Sequence, residues 1–193
     1  NNTVINCTVD LNGVTSTTSS NSAGFVISNS TTSGVSAGNN GSYNKFIGNT
    51  VMGGYRSVSF VGNASGGATG NVLENNTFQD FYADGIYLED NIGLMIAGNN
   101  IMRPTRTNEA TGAGIEVGPG CQSLMIRENK IHDTHTNSTS GTFYGIYFND
   151  CDAPAGFENI AINNLLYRFN SSSGTIYAFY NDDSDGTHIH HNT

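Results

Sequence analysis

Four phrases in the chain set tyrosines and carboxylates at like positions: "DGIYLED" (84–90), "GAGIEVGP" (112–119), "YGIYFND" (144–150) and "YAFYNDD" (177–183). A pair of carboxyl groups can hydrolyse a glycosidic bond. As acid and nucleophile they stand about 5–5.5 Å apart, and as acid and base about 6.5–9.5 Å. Glu89, Glu116, Asp150 and Asp182 are the candidates for such a pair. Aromatic rings pack on the C–H faces of sugars, and carboxylates accept sugar hydroxyls. That chemistry nominates Tyr87, Tyr147, Tyr180, Asp90 and Asp183 as ligand contacts. A plainer explanation covers the same residues: tyrosine suits a solvated strand, and aspartate a turn.

Other residues could hold metals. "NDDSDG" (181–186) sets carboxylates beside a glycine, which suits calcium, although the spacing of an EF-hand loop is missing. Met95 and Met125 recur at like positions and are either a soft-metal pair or adaptable packing beneath the long loop from Arg103 to Gly112. His188 and His190 share one strand face but make a thin zinc site. Cys121 and Cys151 lie 30 residues apart. If their segments stack, their Cα atoms reach disulfide range. Cys7 would then stay single and buried.

These residues act together only if a repeating element positions them. A second phrase, apolar-x-x-Asn-x-apolar, recurs as "FIGNTV" (46–51), "LENNTF" (73–78), "IAGNNI" (96–101), "IRENKI" (126–131) and "IAINNL" (160–165). "VINCTV" (4–9) carries Cys7 in the Asn position, and the chain ends on "IHHNT". The slot is thus filled by Cys7, Asn49, Asn76, Asn99, Asn129, Asn163 and Asn192. The first set of phrases interleaves with this one through Phe25, Val58, Ile86, Ile115, Ile146 and Phe179, spaced by 33, 28, 29, 31 and 33 residues. Apolar residues alternate within each phrase, as in Ile86/Leu88 and Ile146/Phe148, which is strand periodicity. Each unit of about 30 residues reads as two short strands joined by turns, too small to bury an apolar face alone. Stacked in parallel about 4.8 Å apart, such units form an all-β solenoid of about seven rungs. Asn suits the corners because it tolerates left-handed backbone.

If Ile86, Ile115, Ile146 and Phe179 face inward, then Tyr87, Glu116, Tyr147 and Tyr180 form one outward column. Glu89, Gly118, Asn149 and Asp182 form a second, with Asp90, Pro119, Asp150 and Asp183 beside it. Val26 and Ser59 hold the tyrosine column in the earlier units, so the patch belongs to the later ones.

Through its N-x-apolar corners and G-I-x-apolar strands, nearly the whole chain resembles the right-handed parallel β-helix proteins of the pectate-lyase-like superfamily. The resemblance implies an inward asparagine ladder at Asn49, Asn76, Asn99, Asn129 and Asn163, from which Cys7 departs. Polysaccharide lyases on that fold need a base and a cationic group. Arg103, Arg106, His132 and His135 are the candidates here, and none lies in the tyrosine columns. A propeller blade needs about 40 residues and four strands, more than these units hold.

Composition narrows the partners. The net charge is −9 and no basic stripe exists, which argues against nucleic acid and polyuronates. No apolar run approaches the roughly 18 residues of a membrane span. Three cysteines fit no disulfide framework, and eight N-x-S/T sequons, Asn29, Asn63 and Asn137 among them, accompany a surface rich in Ser, Thr and Asn. Export to the extracellular space or cell surface is the expectation. The repeat runs to both ends without caps, so residues 1–193 are expected to be one segment of a longer chain or to meet protein neighbours end-on or side-on. The variable turns 13–23, 30–43, 62–70 and 103–112 are where specificity would sit. Two functions follow. The first is a non-catalytic adhesive or structural module presenting a glycan- or partner-binding face. The second is a polysaccharide-degrading enzyme, tailspike-like, that uses the acidic face.

Overall fold

The computed structural model describes residues 1–14, 19–39, 41–108, 110–137 and 141–193. Positions 15–18, 40 and 109 of the variable turns lie outside the described residues, as does the end of the Asn137 sequon. The described residues form 21 short strands and no helix. Seven strands build a first sheet, six a second and six a third, with one further two-stranded pair. The chain visits first, second and third sheets in that order and then begins again. Neighbouring strands within each sheet therefore come from successive passes, and all pair in parallel. The first sheet contains both Thr3–Ile5 and Thr187–His190, so one stack runs from end to end of the sequence. This all-β arrangement is consistent with a parallel β-helix. Among the described residues no helix is long and apolar enough to cross a membrane.

The core lies between the three sheets, with one inward residue column from the first and second sheets and two from the third. Leu73, Ile96 and Ile126 come from the first sheet, Phe78, Ile101 and Ile131 from the second, and Ile86, Ile115 and Ile146 from the third; all are fully buried. Each triplet is in direct register across its strands. The expected alternation thus holds, but each unit carries three strands rather than two. The Asn phrase spans two of them, because its apolar residues sit on either side of a corner between the first and second sheets.

That corner is held by an asparagine ladder. Asn49, Asn76, Asn99, Asn129, Asn164 and Asn192 stack in order. The backbone N–H and one Nδ2–H of each donate to Oδ1 of the next, at 2.7–3.0 Å. The other Nδ2–H reaches the carbonyl of an inward residue of the first sheet, as from Asn76 to Phe46 at 2.9 Å. Every buried amide hydrogen is thereby matched, which a buried polar column requires. Cys7 closes the ladder, its N–H donating to Asn49 Oδ1 at 2.9 Å.

Three expectations are corrected here. The ladder residue in the sixth unit is Asn164, not Asn163. Ala161 pairs with Ile126 and Leu166 with Ile131, so the phrase reads one residue later than its apolar pattern suggests. Nor does the ladder Asn itself take the left-handed turn. The residue before it does: Asn6, Gly48, Asn75, Gly98, Glu128, Asn163 and His191 have φ between 50° and 65°. That conformation frees the next side chain to point into the core. Cys7 is exposed rather than buried.

Candidate functional site

The site face is the outer surface of the third sheet. Glycine sets how its strands sit. A Cβ at Gly85 would lie 2.8 Å from Ile101 Cγ2, one at Gly114 2.8 Å from Ile131 Cγ2, and one at Gly145 2.5 Å from Leu166 Cδ2. Each glycine therefore faces inward against the second sheet, and so does the apolar residue after it. Strict alternation breaks at that point, which turns the residue before the glycine outward. The G-I motif is a packing requirement twice over, since the same Cβ atoms would lie 2.6, 2.7 and 2.4 Å from backbone carbonyls of the next coil, at Gly114, Gly145 and Ala178.

Register along the third sheet follows the expected columns. Val26, Ser59, Tyr87, Glu116, Tyr147 and Tyr180 stand in line. Glu89 follows Leu88, the partner of Val117, while Asn149 pairs with Asp182. The early end of the face is covered: Ser59 is buried and its hydroxyl donates to the Gly34 carbonyl at 2.6 Å. The later end is open, with Tyr177 41% exposed.

Four tyrosines gather there. Tyr144 stacks on Tyr147 with ring centroids 4.5 Å apart and on Tyr177 at 5.6 Å, and Tyr180 lies 5.0–5.5 Å from the other three. The Tyr147 hydroxyl donates to Asp182 Oδ2 at 3.1 Å. Tyr144 and Tyr177 were missing from the sequence-based set because alternation from Ile146 and Phe179 turns them inward. The signal that places them is the repeated three-residue spacing Tyr-x-x-Tyr around the glycine or alanine.

Tyr87 belongs to a separate group. The Arg56 guanidinium lies over its ring at 4.1 Å and pairs with the buried Asp84 at 2.8 Å. Ala113 N–H completes Asp84 at 3.0 Å. Burial, then the Glu89 carboxylate, pushes the Tyr87 hydroxyl well above the ordinary phenol range. Burial followed by the Asp182 bond does the same to Tyr147. Glu116 sits between the two groups, its Oε1 accepting from Asn149 Nδ2 at 3.1 Å. Burial, then the Asp84 charge, pushes its carboxyl up to about 7. Glu116 can therefore hold a proton near neutrality, as a general acid must.

The remaining acids divide from these. Asp90, Asp150 and Asp183 occupy left-handed turns with φ of 51°, 49° and 49°. A turn of that kind explains an Asp without any ligand. Burial raises the Asp90 carboxyl. In "NDDSDG", Asp185 N–H is bound by Asp152 Oδ1 and Asn181 Nδ2 donates to the Ser184 carbonyl. Among the described residues no three metal-capable side chains converge.

The basic candidates lie elsewhere. Arg103 is fully buried between Phe81 and Phe143, its Nε donating to the Thr134 carbonyl at 3.1 Å. Arg106 bonds the Asp80 carbonyl, while Asp80 binds the N–H groups of Thr105 and Arg106; a pocket of about 300 Å³ opens beside them. His132 has both ring nitrogens engaged, by Asp133 at 2.6 Å and Asn100 at 2.8 Å, and stacks on Tyr167. His135 is buried against Thr134 and Phe143. Met95 and Met125 are register partners in the first sheet, with Arg127 Nη2 3.8 Å from the Met95 sulfur. His188 and His190 share a face with rings 5.6 Å apart, both exposed. Cys121 and Cys151 are buried free thiols, Cys151 Sγ lying 3.3 Å from the Cys121 carbonyl.

No protein-family model, curated protein or solved structure gives a significant match to the chain.

Proposed function

We propose that the chain is a right-handed parallel β-helix of about seven coils, of the pectate-lyase-like kind, and that it serves at the cell surface or outside the cell as a module binding glycan through the third-sheet face. Right-handedness follows from the strong bias of parallel crossovers, about 98% of which take that hand. The observation that carries the binding role is the stack of Tyr144, Tyr147, Tyr177 and Tyr180 tied to Asp182. Stacked rings on a rigid sheet offer apolar area at little entropic cost, and the adjoining carboxylates and Asn149 supply acceptors and a donor for hydroxyls. The test is a panel of oligosaccharides probed against the wild type and Tyr147→Ala and Tyr180→Ala. Binding that falls about tenfold or more in both variants, with the circular dichroism unchanged, is the expected result. Full affinity in both would end the reading.

A second reading, glycoside hydrolysis, draws on one observation: Glu116 keeps its proton up to about pH 7 beside Glu89. In that reading Glu116 is the acid and Glu89 the base or nucleophile. Hydrolysis that falls at least about a hundredfold in Glu116→Gln, without loss of binding, would favour it. Binding with no turnover of any bound oligosaccharide would leave the module non-catalytic.

A further inference from the structure

The chain fills part of this face with its own cation. Over Tyr87, the Arg56 guanidinium stands 4.1 Å from the ring centroid and pairs with Asp84. Along the same columns the later strands repeat the aromatic and acidic surroundings but carry no cation. Arg56 aligns with Asp84, and the next positions in that column are Ala113, Tyr144 and Tyr177. Among the described residues no salt bridge reaches Glu89, Glu116 or Asp182. The face thus offers ring faces with negative charge beside them, the setting in which an ammonium group is attracted by both the ring quadrupole and the carboxylates.

Resting on the glycan-binding reading above, we infer that the ligand is a linear polymer of amino sugars bearing free amines, its ammonium groups set against the tyrosine stack and the Glu116 and Asp182 carboxylates as Arg56 is set against Tyr87 and Asp84. Charge complementarity favours this occupant over an acidic polymer, since the whole chain carries −9. It also favours it over a neutral one. A neutral glycan would leave the half-buried Glu116 with only the Arg56 guanidinium, which offsets burial and the Asp84 charge in part, whereas an ammonium group set beside it would relieve the rest of that penalty on its carboxylate. The sheet supplies the repeat: successive strands about 4.8 Å apart present an acceptor or ring at nearly the monomer spacing of an extended β-linked hexosamine chain.

The test compares two probes with the same backbone, a β-1,4-linked glucosamine hexamer and its fully N-acetylated counterpart. Affinity of the full chain is measured by calorimetry at a pH where the amines are charged, the bound ammonium drawing off the Glu116 proton as it pairs with the carboxylate. The amine form is expected to bind about tenfold tighter, as two partly screened ion pairs would allow. That advantage should shrink below about threefold in half-molar salt and in the Glu116→Gln/Asp182→Asn double variant, and Tyr147→Ala should weaken both probes. Equal or tighter binding of the acetylated hexamer, still sensitive to Tyr147→Ala, would overturn the charge inference and leave the glycan-binding face standing. Binding of the amine form untouched by Tyr147→Ala would mean diffuse attraction to an acidic protein and would overturn it too. No binding of either hexamer also overturns it, and the wider oligosaccharide panel then decides the parent reading.

Discussion

Burial and the Asp84 charge hold the Glu116 proton to about pH 7, against an ordinary value of 4.5. The folded state therefore binds this proton more tightly than the unfolded chain does. Its contribution to stability is fully present below about pH 4.5 and is lost as pH rises through about 7. Glu116→Gln keeps the shape and the Asn149 contact while removing the titration. Urea melts across that window should show the wild type losing stability relative to the variant as pH rises. Parallel pH profiles for the two proteins would mean that Glu116 is solvated. Gly145 tests packing at the same scale. An added Cβ would lie 2.4 Å from the Ala178 carbonyl and 2.5 Å from Leu166 Cδ2, so Gly145→Ala should cost about 1–3 kcal/mol in chemical denaturation. A neutral substitution would remove the account of the G-I motif as a position packed against the next coil and the second sheet.

At the scale of the element, the ladder decides register. Asn164→Ala would strip the acceptor from the N–H and Nδ2–H of Asn129 and the donor from the Ile126 carbonyl. Leaving those buried groups unpaired should cost about 2–5 kcal/mol. The neighbouring Asn163 is exposed, with φ of 57°, so Asn163→Gly should change stability by less than about 0.5 kcal/mol. Thermal melts of the two variants are enough. The opposite order of effects would restore Asn163 to the ladder. The corner works by dividing labour between adjacent residues, one taking the left-handed turn and the next entering the core.

For the molecule as a whole, each pass of chain packs only on the passes before and after it, so burial in the middle of the stack is lifted only when neighbours part. Cys121 and Cys151 lie in that middle, fully buried and unbonded, and burial first of all raises the Cys121 thiol well above its ordinary range. Cys7 is exposed at one end of the ladder. A chromogenic disulfide reagent should titrate one thiol in the native protein and three after denaturation. Only one thiol in the denatured protein would reveal a Cys121–Cys151 bond instead.

Sequence by itself determined the inward column of the third sheet, Phe25 through Phe179, and with it the line from Tyr87 to Tyr180. Both follow from a period-two pattern repeated at a nearly constant interval, and one-dimensional spacing records that directly. It also placed four of the five inner asparagines carried over to the ladder. Tertiary structure alone decided the rest. Ile160 and Ala161 are both apolar enough to face inward, and only pairing with Ile126 chose Ala161 and so Asn164. Tyr144 came outward because Gly145 breaks alternation where it meets Leu166 of the second sheet, a contact between residues distant in sequence, and Tyr177 follows as its register partner. The Glu116 proton belongs to the same class. Its affinity depends on burial and on Asp84, one strand away in the stack, and neither can be read from the letters around position 116.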